Sequence, residues 1–235
     1  MKGIRISLSA LALAISAIAA LGAGPAFAAG QKEGAPLAGQ APGQGLGRGG
    51  GRGLGRGAAP GGLYAPGAQG AAPQAYRSAE FAALAALPRG DALQAGQIAE
   101  LVSLYEEEKL ARDVYAALGE RFGPPIFRNL ALSERSHMDL LAALFERYGV
   151  STPVDRGPGL FQDAEKAAAY GRLVEAGLRG EAEAAAVGAL IERDDIQSLR
   201  ELVQSNANED LLYVLDRLLA GSENHLAAFE RRLQR

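Results

Sequence analysis

Two histidines, His137 and His225, are the only imidazoles in a chain of 235 residues. Each falls where an amphipathic helix places an apolar residue. Read at steps of three and four, one stripe runs Phe127, Leu130, Glu134, His137, Leu141, Leu144, Tyr148. A second runs Leu211, Leu215, Leu218, Ser222, His225, Phe229. Two further stripes carry carboxylates in mid-seam: Leu101, Leu104, Glu108, Ala111, Tyr115, Leu118, Phe122, and Ala185, Gly188, Glu192, Asp195, Leu199, Leu202. Burying such charge costs several kcal/mol per ion unless something compensates it. Four interruptions at matching depth predict one shared site, and a metal centre is the simplest compensation. Glu134 and His137 are three residues apart, which puts both side chains on one helix face. So are Glu192 and Asp195. The metal-ligand candidates are Glu108, Glu134, His137, Glu192, Asp195 and His225, four carboxylates and two imidazoles. Four negative charges balance two divalent cations, and carboxylate with imidazole suits iron, manganese or zinc. The competing reading is a buried polar network that holds no metal.

The elements that must position these groups read as helices throughout. Asp91 with Gln94 is a candidate capping box for a first helix that Gly123-Pro124-Pro125 terminates. Proline in the first turn starts the second, which ends at Gly149. Residues 150–162 read as loop, 163–177 as a shorter helix, 181–204 as the next, and 207–233 as the last, with Asn206 and Glu209 as its cap. No run of alternating β-branched residues predicts a strand. Short connections join the first two long helices and the last two. A connection of about 30 residues separates the pairs. The expected fold class is all-α, a ferritin-like four-helix bundle whose long crossover contains a short extra helix.

Composition divides the chain into three. Lys2 and Arg5, the apolar run Leu8 to Leu21 and Ala26-Phe27-Ala28 read as an export signal over residues 1–28, removed rather than kept as an anchor. Residues 29–80 read as a disordered linker rich in Gly, Ala, Pro and Arg, with Gly45-Leu46-Gly47-Arg48 echoed at Gly53-Leu54-Gly55-Arg56. Residues 81–235 read as the helical domain. Residues 1–80 carry a net charge of +5 and residues 81–235 a net of −8. An acidic domain with no basic stripe argues against nucleic acid as a partner. The chain has no cysteine. That rules out thiolate catalysis and cysteine-held zinc or iron–sulfur sites in it. The expected location is periplasmic or extracellular.

The residues around the candidate ligands carry a resemblance. Glu108-Lys109-Leu110-Ala111-Arg112-Asp113-Val114-Tyr115 resembles the first metal helix of rubrerythrin-type proteins, with its E-x-x-A-R-x-x-Y spacing. Ile126 to Asn129 and Ser133 to His137 resemble the second. The closer similarity is to a bacterial ferritin-like family, domain of unknown function 2202, over residues 95–233. It rests on Glu106 to Tyr115, Ile191-Glu192-Arg193-Asp194-Asp195-Ile196 and Gly221-Ser222-Glu223-Asn224-His225-Leu226. The resemblance implies a fold and a metal site but no reaction. The usual Glu-x-x-His of the last helix is broken by Ser222. Asp195 is then expected to stand in for the missing carboxylate, and Ser222 to be dispensable. Tyr115 is expected to pack in the core with its hydroxyl in reach of a ligand carboxylate. Glu106, Glu107, Asp194 and Glu223, off the seams, are expected to be solvated.

These observations lead to an exported ferritin-like protein with a di-iron or di-manganese carboxylate site. Its chemistry would be oxidation of ferrous iron or removal of peroxide, with oxygen or peroxide as the second partner. The absence of a rubredoxin-like cysteine site argues against a complete rubrerythrin-type peroxidase. A non-catalytic metal-binding or sensing module of the envelope and a metal-free helical scaffold are the alternatives. Homo-oligomerisation is compatible with each.

Overall fold

The structure, a computed structural model, describes residues 74–123 and 125–235. The export signal, and the linker as far as residue 73, lie outside them. The described residues form six helices and no strand: α1 (Gln74–Ala86), α2 (Ala95–Phe122), α3 (Pro125–Tyr148), α4 (Ala164–Gly177), α5 (Glu181–Ser205) and α6 (Glu209–Leu233). The fold is all-α, as the periodicity requires. Among the described residues no helix is long and apolar enough to cross a membrane.

Helix ends follow local chemistry, with two departures from the sequence reading. The box at the start of α2 is one turn later than expected. Gln94 is the N-cap, and its N–H donates to Gln97 Oε1 at 2.8 Å. Asn206 does not cap α6. It closes α5, donating its side-chain amide to the Leu202 carbonyl at 2.7 Å, and Asn208 precedes α6 instead. An amide can satisfy either the orphan N–H groups of a helix start or the orphan carbonyls of a helix end, so composition alone does not assign Asn206. Gly123 ends α2 in the left-handed region at φ 72°, and its N–H returns to the Gly119 carbonyl at 2.9 Å.

Helix α1 was not expected, and its first residues fall in the stretch read as linker. Leu84 is buried, and Glu80 accepts from Arg217 Nε at 2.9 Å. Its alanine-rich sequence follows directly on the Gly/Ala/Pro-rich stretch and shares its composition.

Four long helices make the body. The most extensive pairings are α2 with α3 and α5 with α6, while α4 sits across α2 and α5. The apolar core divides into two clusters. One holds Val114, Leu118, Phe127, Ala185, Val187 and Phe229. The other holds Leu101, Leu104, Leu141, Leu144, Leu199 and Leu215. Between the two, every long helix is interrupted by polar residues: Glu108 on α2, Glu134 and His137 on α3, Glu192 and Asp195 on α5, Ser222 and His225 on α6. The order in which each helix visits the clusters fixes its direction. Helices α2 and α6 run from the second cluster to the first, and α3 and α5 run from the first to the second. The segment between α3 and α5 must therefore travel the length of the body, and α4 lies within it.

That crossover is strapped to the outer face of α2 by a charged network. Asp113 is fully buried and takes Lys109 Nζ at 2.6 Å, Arg112 Nη2 at 2.6 Å and the Gly159 N–H at 3.0 Å. Lys109 also donates to the Gly157 carbonyl at 2.7 Å, and Arg112 to Asp155 at 2.6 Å. Glu106, expected in solvent, is buried. Its two carboxylate oxygens accept from the Gln162 and Asp163 N–H groups at 2.7 and 3.2 Å, ahead of α4. Glu107 and Asp194 are half-buried, and of the four off-seam acids only Glu223 is well exposed. A stripe analysis sees the seam between long helices. It does not see that α2 has a second covered face, at positions 106, 109 and 113.

Removing one partner from a buried ion pair leaves the other charged and unsatisfied, at a cost of about 3–5 kcal/mol. Asp113→Ala is expected to lower the unfolding free energy by that amount, read as a lower denaturant midpoint at unchanged slope. A chemical denaturation curve indistinguishable from the parent's would show that the strap does not hold the crossover.

Candidate metal centre

The polar layer is built by helix periodicity. Glu108 sits one turn before Ala111 and two turns before Tyr115 on the inner face of α2. Glu134 and His137 share the inner face of α3, and Glu192 and His225 reach inward from α5 and α6. These five residues are buried and form two groups of ligand-capable atoms: Glu108, Glu134 and His137, and Glu134, Glu192 and His225. Atoms within each group lie within 4.8 Å of one another.

Glu134 belongs to both groups. Its Oε2 lies 2.9 Å from His137 Nδ1, and its Oε1 lies 2.8 Å from His225 Nδ1. His137 Nδ1 also meets Glu108 Oε2 at 3.0 Å, and His225 Nδ1 lies 3.5 Å from Glu192 Oε1. The two imidazoles stack at a centroid separation of 5.6 Å. One carboxylate thus offers one oxygen to each side, with an imidazole and a second carboxylate completing each group.

Other groups orient these donors. Tyr115 OH donates to Glu192 Oε1 at 2.6 Å, as its place on the Leu101–Phe122 stripe suggested. Ser133 Oγ meets His225 Nε2 at 2.9 Å, which leaves Nδ1 facing the carboxylates. Gly221 lets α6 approach α3, because a Cβ there would overlap the His137 imidazole. Ser133 and Gly221 were not identified as site residues from sequence. Both lie one turn or less from a ligand on its own or the facing helix, but their types carry no chemical signal by themselves.

Asp195 is the one sequence candidate outside both groups. It is half-buried, and its Oδ2 accepts from Ser222 Oγ at 2.5 Å. Ser222, expected to be dispensable, donates to the carboxylate that was expected to stand in for the missing glutamate.

The cluster contains unsatisfied atoms. Glu108 Oε1, Glu134 Oε1, Asp195 Oδ1 and His225 Nδ1 are buried with no hydrogen-bond partner. His225 Nδ1 and Glu134 Oε1 lie 2.8 Å apart without a hydrogen-bonding alignment. Buried polar atoms are nearly always partnered, and exceptions call for an explanation such as an ion.

Electrostatics shows the cost of the protein groups alone. Burial pushes the Glu108 carboxyl up to about 8 and, with the charge of Glu134, the Glu192 carboxyl up to about 7. Burial also drives Asp195 well above the usual carboxylate range, aided by Glu108 and Glu192. Burial works against charge on His225, yet Glu134 raises it to about 10. His137 is likewise held well above its ordinary value, by Glu108 and Glu134 acting against burial. Glu134 is the exception among the carboxylates. Against its burial, the His225 and His137 charges hold it far below the usual range. Protons here do what a divalent cation could do: they neutralise carboxylates packed too close to remain ionised together.

Comparison with known proteins gives concordant results. The model of a family described as an uncharacterised protein domain, DUF2202, matches residues 97–235. The uncharacterised protein MJ0754 of Methanocaldococcus jannaschii is 42% identical over 134 residues, spanning 57% of this chain and 72% of that protein. A crystal structure of the hypothetical protein MJ0754 from Methanococcus jannaschii superimposes with a TM-score of 0.61 at 39% identity. That match covers 63% of this chain and 85% of the other. The matched segment includes all six candidate ligands.

Glycine to alanine in a helix interior ordinarily stabilises by about 0.5–1 kcal/mol. Gly171, on α4, has open space where a Cβ would stand, and Gly171→Ala should behave that way. Gly221→Ala should instead destabilise, by about 1–3 kcal/mol through overpacking against His137. Thermal melts of the two variants test this. Equal gains in both would mean that α6 does not press on His137.

Proposed function

The chain belongs to the DUF2202 family, and we propose that it is an exported, ferritin-like protein that holds two divalent metal ions between its four long helices. The observation that carries this reading is the pair of three-residue donor groups sharing Glu134, whose members Glu108, Glu134 and His225 each hold a buried atom without a hydrogen-bond partner. The helix directions support a ferritin-like arrangement, since two antiparallel hairpins joined by one long crossover are what that topology requires. Charged residues at the amino terminus, followed by an apolar run and a small-x-small site, support export.

The donor set fits such ions. Carboxylate oxygens and imidazole nitrogens suit iron or manganese, and the cluster has no soft ligand. Glu108, Glu134 and His137 would hold one ion, and Glu134, Glu192 and His225 the other. With three protein donors each, both would keep open positions, and bound iron or manganese would supply oxidation of ferrous ion or chemistry with peroxide. The chain's own residues prepare this. For His225 Nδ1 to serve as donor, the ring proton must sit on Nε2, where Ser133 Oγ can accept it. Tyr115 fixes one oxygen of Glu192 and restricts its rotation. The apolar clusters above and below keep bulk water from the charged layer.

Metal binding is expected to expel protons. Without metal, the raised values of both imidazoles and of Glu108 favour their protonated forms. Ligation needs neutral imidazole and ionised carboxylate, so affinity should rise with pH from 7 toward 10. The sign for the metal-free fold is opposite. Groups whose folded values are raised bind more protons folded than unfolded, so stability falls as pH rises from each group's ordinary value to its folded one, from 4.5 to about 7 for Glu192 and from 6.5 to about 10 for His225. Calorimetric titration with manganous ion in buffers of different ionisation heat should give two ions per chain and net proton release at pH 7. Excess ion, at a hundredfold over its dissociation constant, should stabilise by about 2.7 kcal/mol for each site filled. No binding of any divalent ion, and melting unchanged by metal, would favour the metal-free scaffold. Two bound ions with no turnover of ferrous ion under oxygen or peroxide would favour a non-catalytic metal-binding or sensing module.

A further inference from the structure

The two hairpins lie with their turns at opposite ends of the body. The turn of the first, at Gly123, is beside the first apolar cluster. The turn of the second, residues 206–208, is beside the other. At that second end the first hairpin is open. Helix α2 begins there and α3 stops there, and no turn of their own joins them. Unfastened helix ends fray unless something ties them down.

Residues 80–91 lie across this opening. Asp210, buried in the first turn of α6, accepts from Arg147 Nε and Tyr148 OH at 2.7 Å each, both from the last turn of α3. It also meets the Gly90 N–H at 3.5 Å. Arg147 donates in addition to the Leu87 carbonyl, and the Asn208 side-chain amide donates to the Asp91 carbonyl at 3.0 Å. The Arg89 guanidinium stands 5.1 Å from the centre of the Tyr148 ring. The fit is close at Gly90, where a Cβ would overlap the Asn208 side chain. Further back, Leu84 is buried in the second apolar cluster. Glu80 reaches α6 twice, through Arg217 Nε at 2.9 Å and through its carbonyl, which accepts from Tyr213 OH at 3.3 Å. The segment therefore bonds to the end of one hairpin and the start of the other, and then runs directly into α2. Three of its acceptors are main-chain carbonyls, those of Glu80, Leu87 and Asp91, which is why residue types alone give no sign of it.

We infer that residues 80–91 are a clasp, which closes the open end of the α2–α3 hairpin over the turn of the α5–α6 hairpin and governs how readily the two hairpins part there. The clasp lies ahead of the family-matched residues 97–235, and it acts whether or not the polar layer holds metal. Its reach extends to that layer. Tyr148 is eleven residues from His137, about 16 Å along a continuous helix. The layer is buried on all four long helices, so exchange with solvent there needs the hairpins to separate.

The test is amide hydrogen exchange on the full chain without metal, read by mass spectrometry, with circular dichroism to show that each variant is helical. Two substitutions loosen the clasp from its own side and leave α2 to α6 unaltered. Leu84→Ala removes the buried anchor, and Gly90→Ala wedges the segment away from Asn208. In both, residues 144–148 and 209–216 should exchange faster. For Leu84→Ala the factor is about thirtyfold or more, the low end for truncating a buried leucine. Residues 134–137 and 222–225 should follow by a smaller factor. Residues 118–130, at the far end of the body, should exchange as in the parent. Faster exchange confined to residues 80–94, or none at all, would make the segment a passenger and overturn the inference. An equal rise at 118–130 and 209–216 would also overturn it, since the segment would then add to global stability without acting at one end. Unchanged exchange at 134–137 and 222–225, with the ends of α3 and α6 loosened, would overturn the link to the polar layer.

Discussion

The rest of the structure depends on one shared carboxylate. Glu134 faces His137 with one oxygen and His225 with the other, at 2.9 and 2.8 Å, inside a layer closed to solvent. A carboxylate so placed is held ionised by two neighbouring positive groups, and the neighbours are held protonated by it. That mutual dependence makes sense of the spacing of everything else. Glu108 and Glu192 stand on opposite sides, each beside one imidazole. The small residues Gly221 and Ser222 let α6 come close enough for His225 to reach. Apolar residues resume within a turn on every helix, so the charged layer is one stratum thick.

A layer of charge in mid-core would loosen a helical body unless its walls were fixed from outside. The strap on α2 meets that need. Lys109, Arg112 and Asp113 follow directly after Glu108, so one short segment of sequence has two tasks on two faces. The inner face presents a carboxylate to the cluster. The outer face anchors the crossover through the Gly157 carbonyl, the Gly159 N–H and Asp155. The register of Glu108 is thus tied to a loop more than forty residues away in sequence.

What could be read from the sequence was what helical periodicity exposes. Four seams, their polar interruptions and the helix limits to within a few residues all follow from steps of three and four. The structure brings five of the six candidate residues into two donor groups. Periodicity could not distinguish partners. The identical spacing of Glu134 with His137 and Glu192 with Asp195 suggested equivalent pairs, yet Asp195 turns to Ser222 while His137 turns to Glu108. It also could not see the second covered face of α2. Glu106 looks like a solvent residue until the crossover, more than fifty residues later in the chain, presents two backbone N–H groups to it. Asn206 and Asn208 show a similar limit, because both amides suit a helix boundary and only the path of the chain decides which end each one serves.

The two donor groups differ in how far apart along the chain their members lie. Glu108, Glu134 and His137 all come from one helical hairpin, α2 with α3. The second group joins Glu134 of that hairpin to Glu192 and His225 of the other. The first pocket is therefore a local structure, available as soon as its own hairpin closes. The second exists only when both hairpins have docked with the crossover in place, and an occupant there closes a long loop that the first does not. A cation in the first pocket would be a guest of half the molecule. One in the second would be a fastener, and its release would free the halves to part.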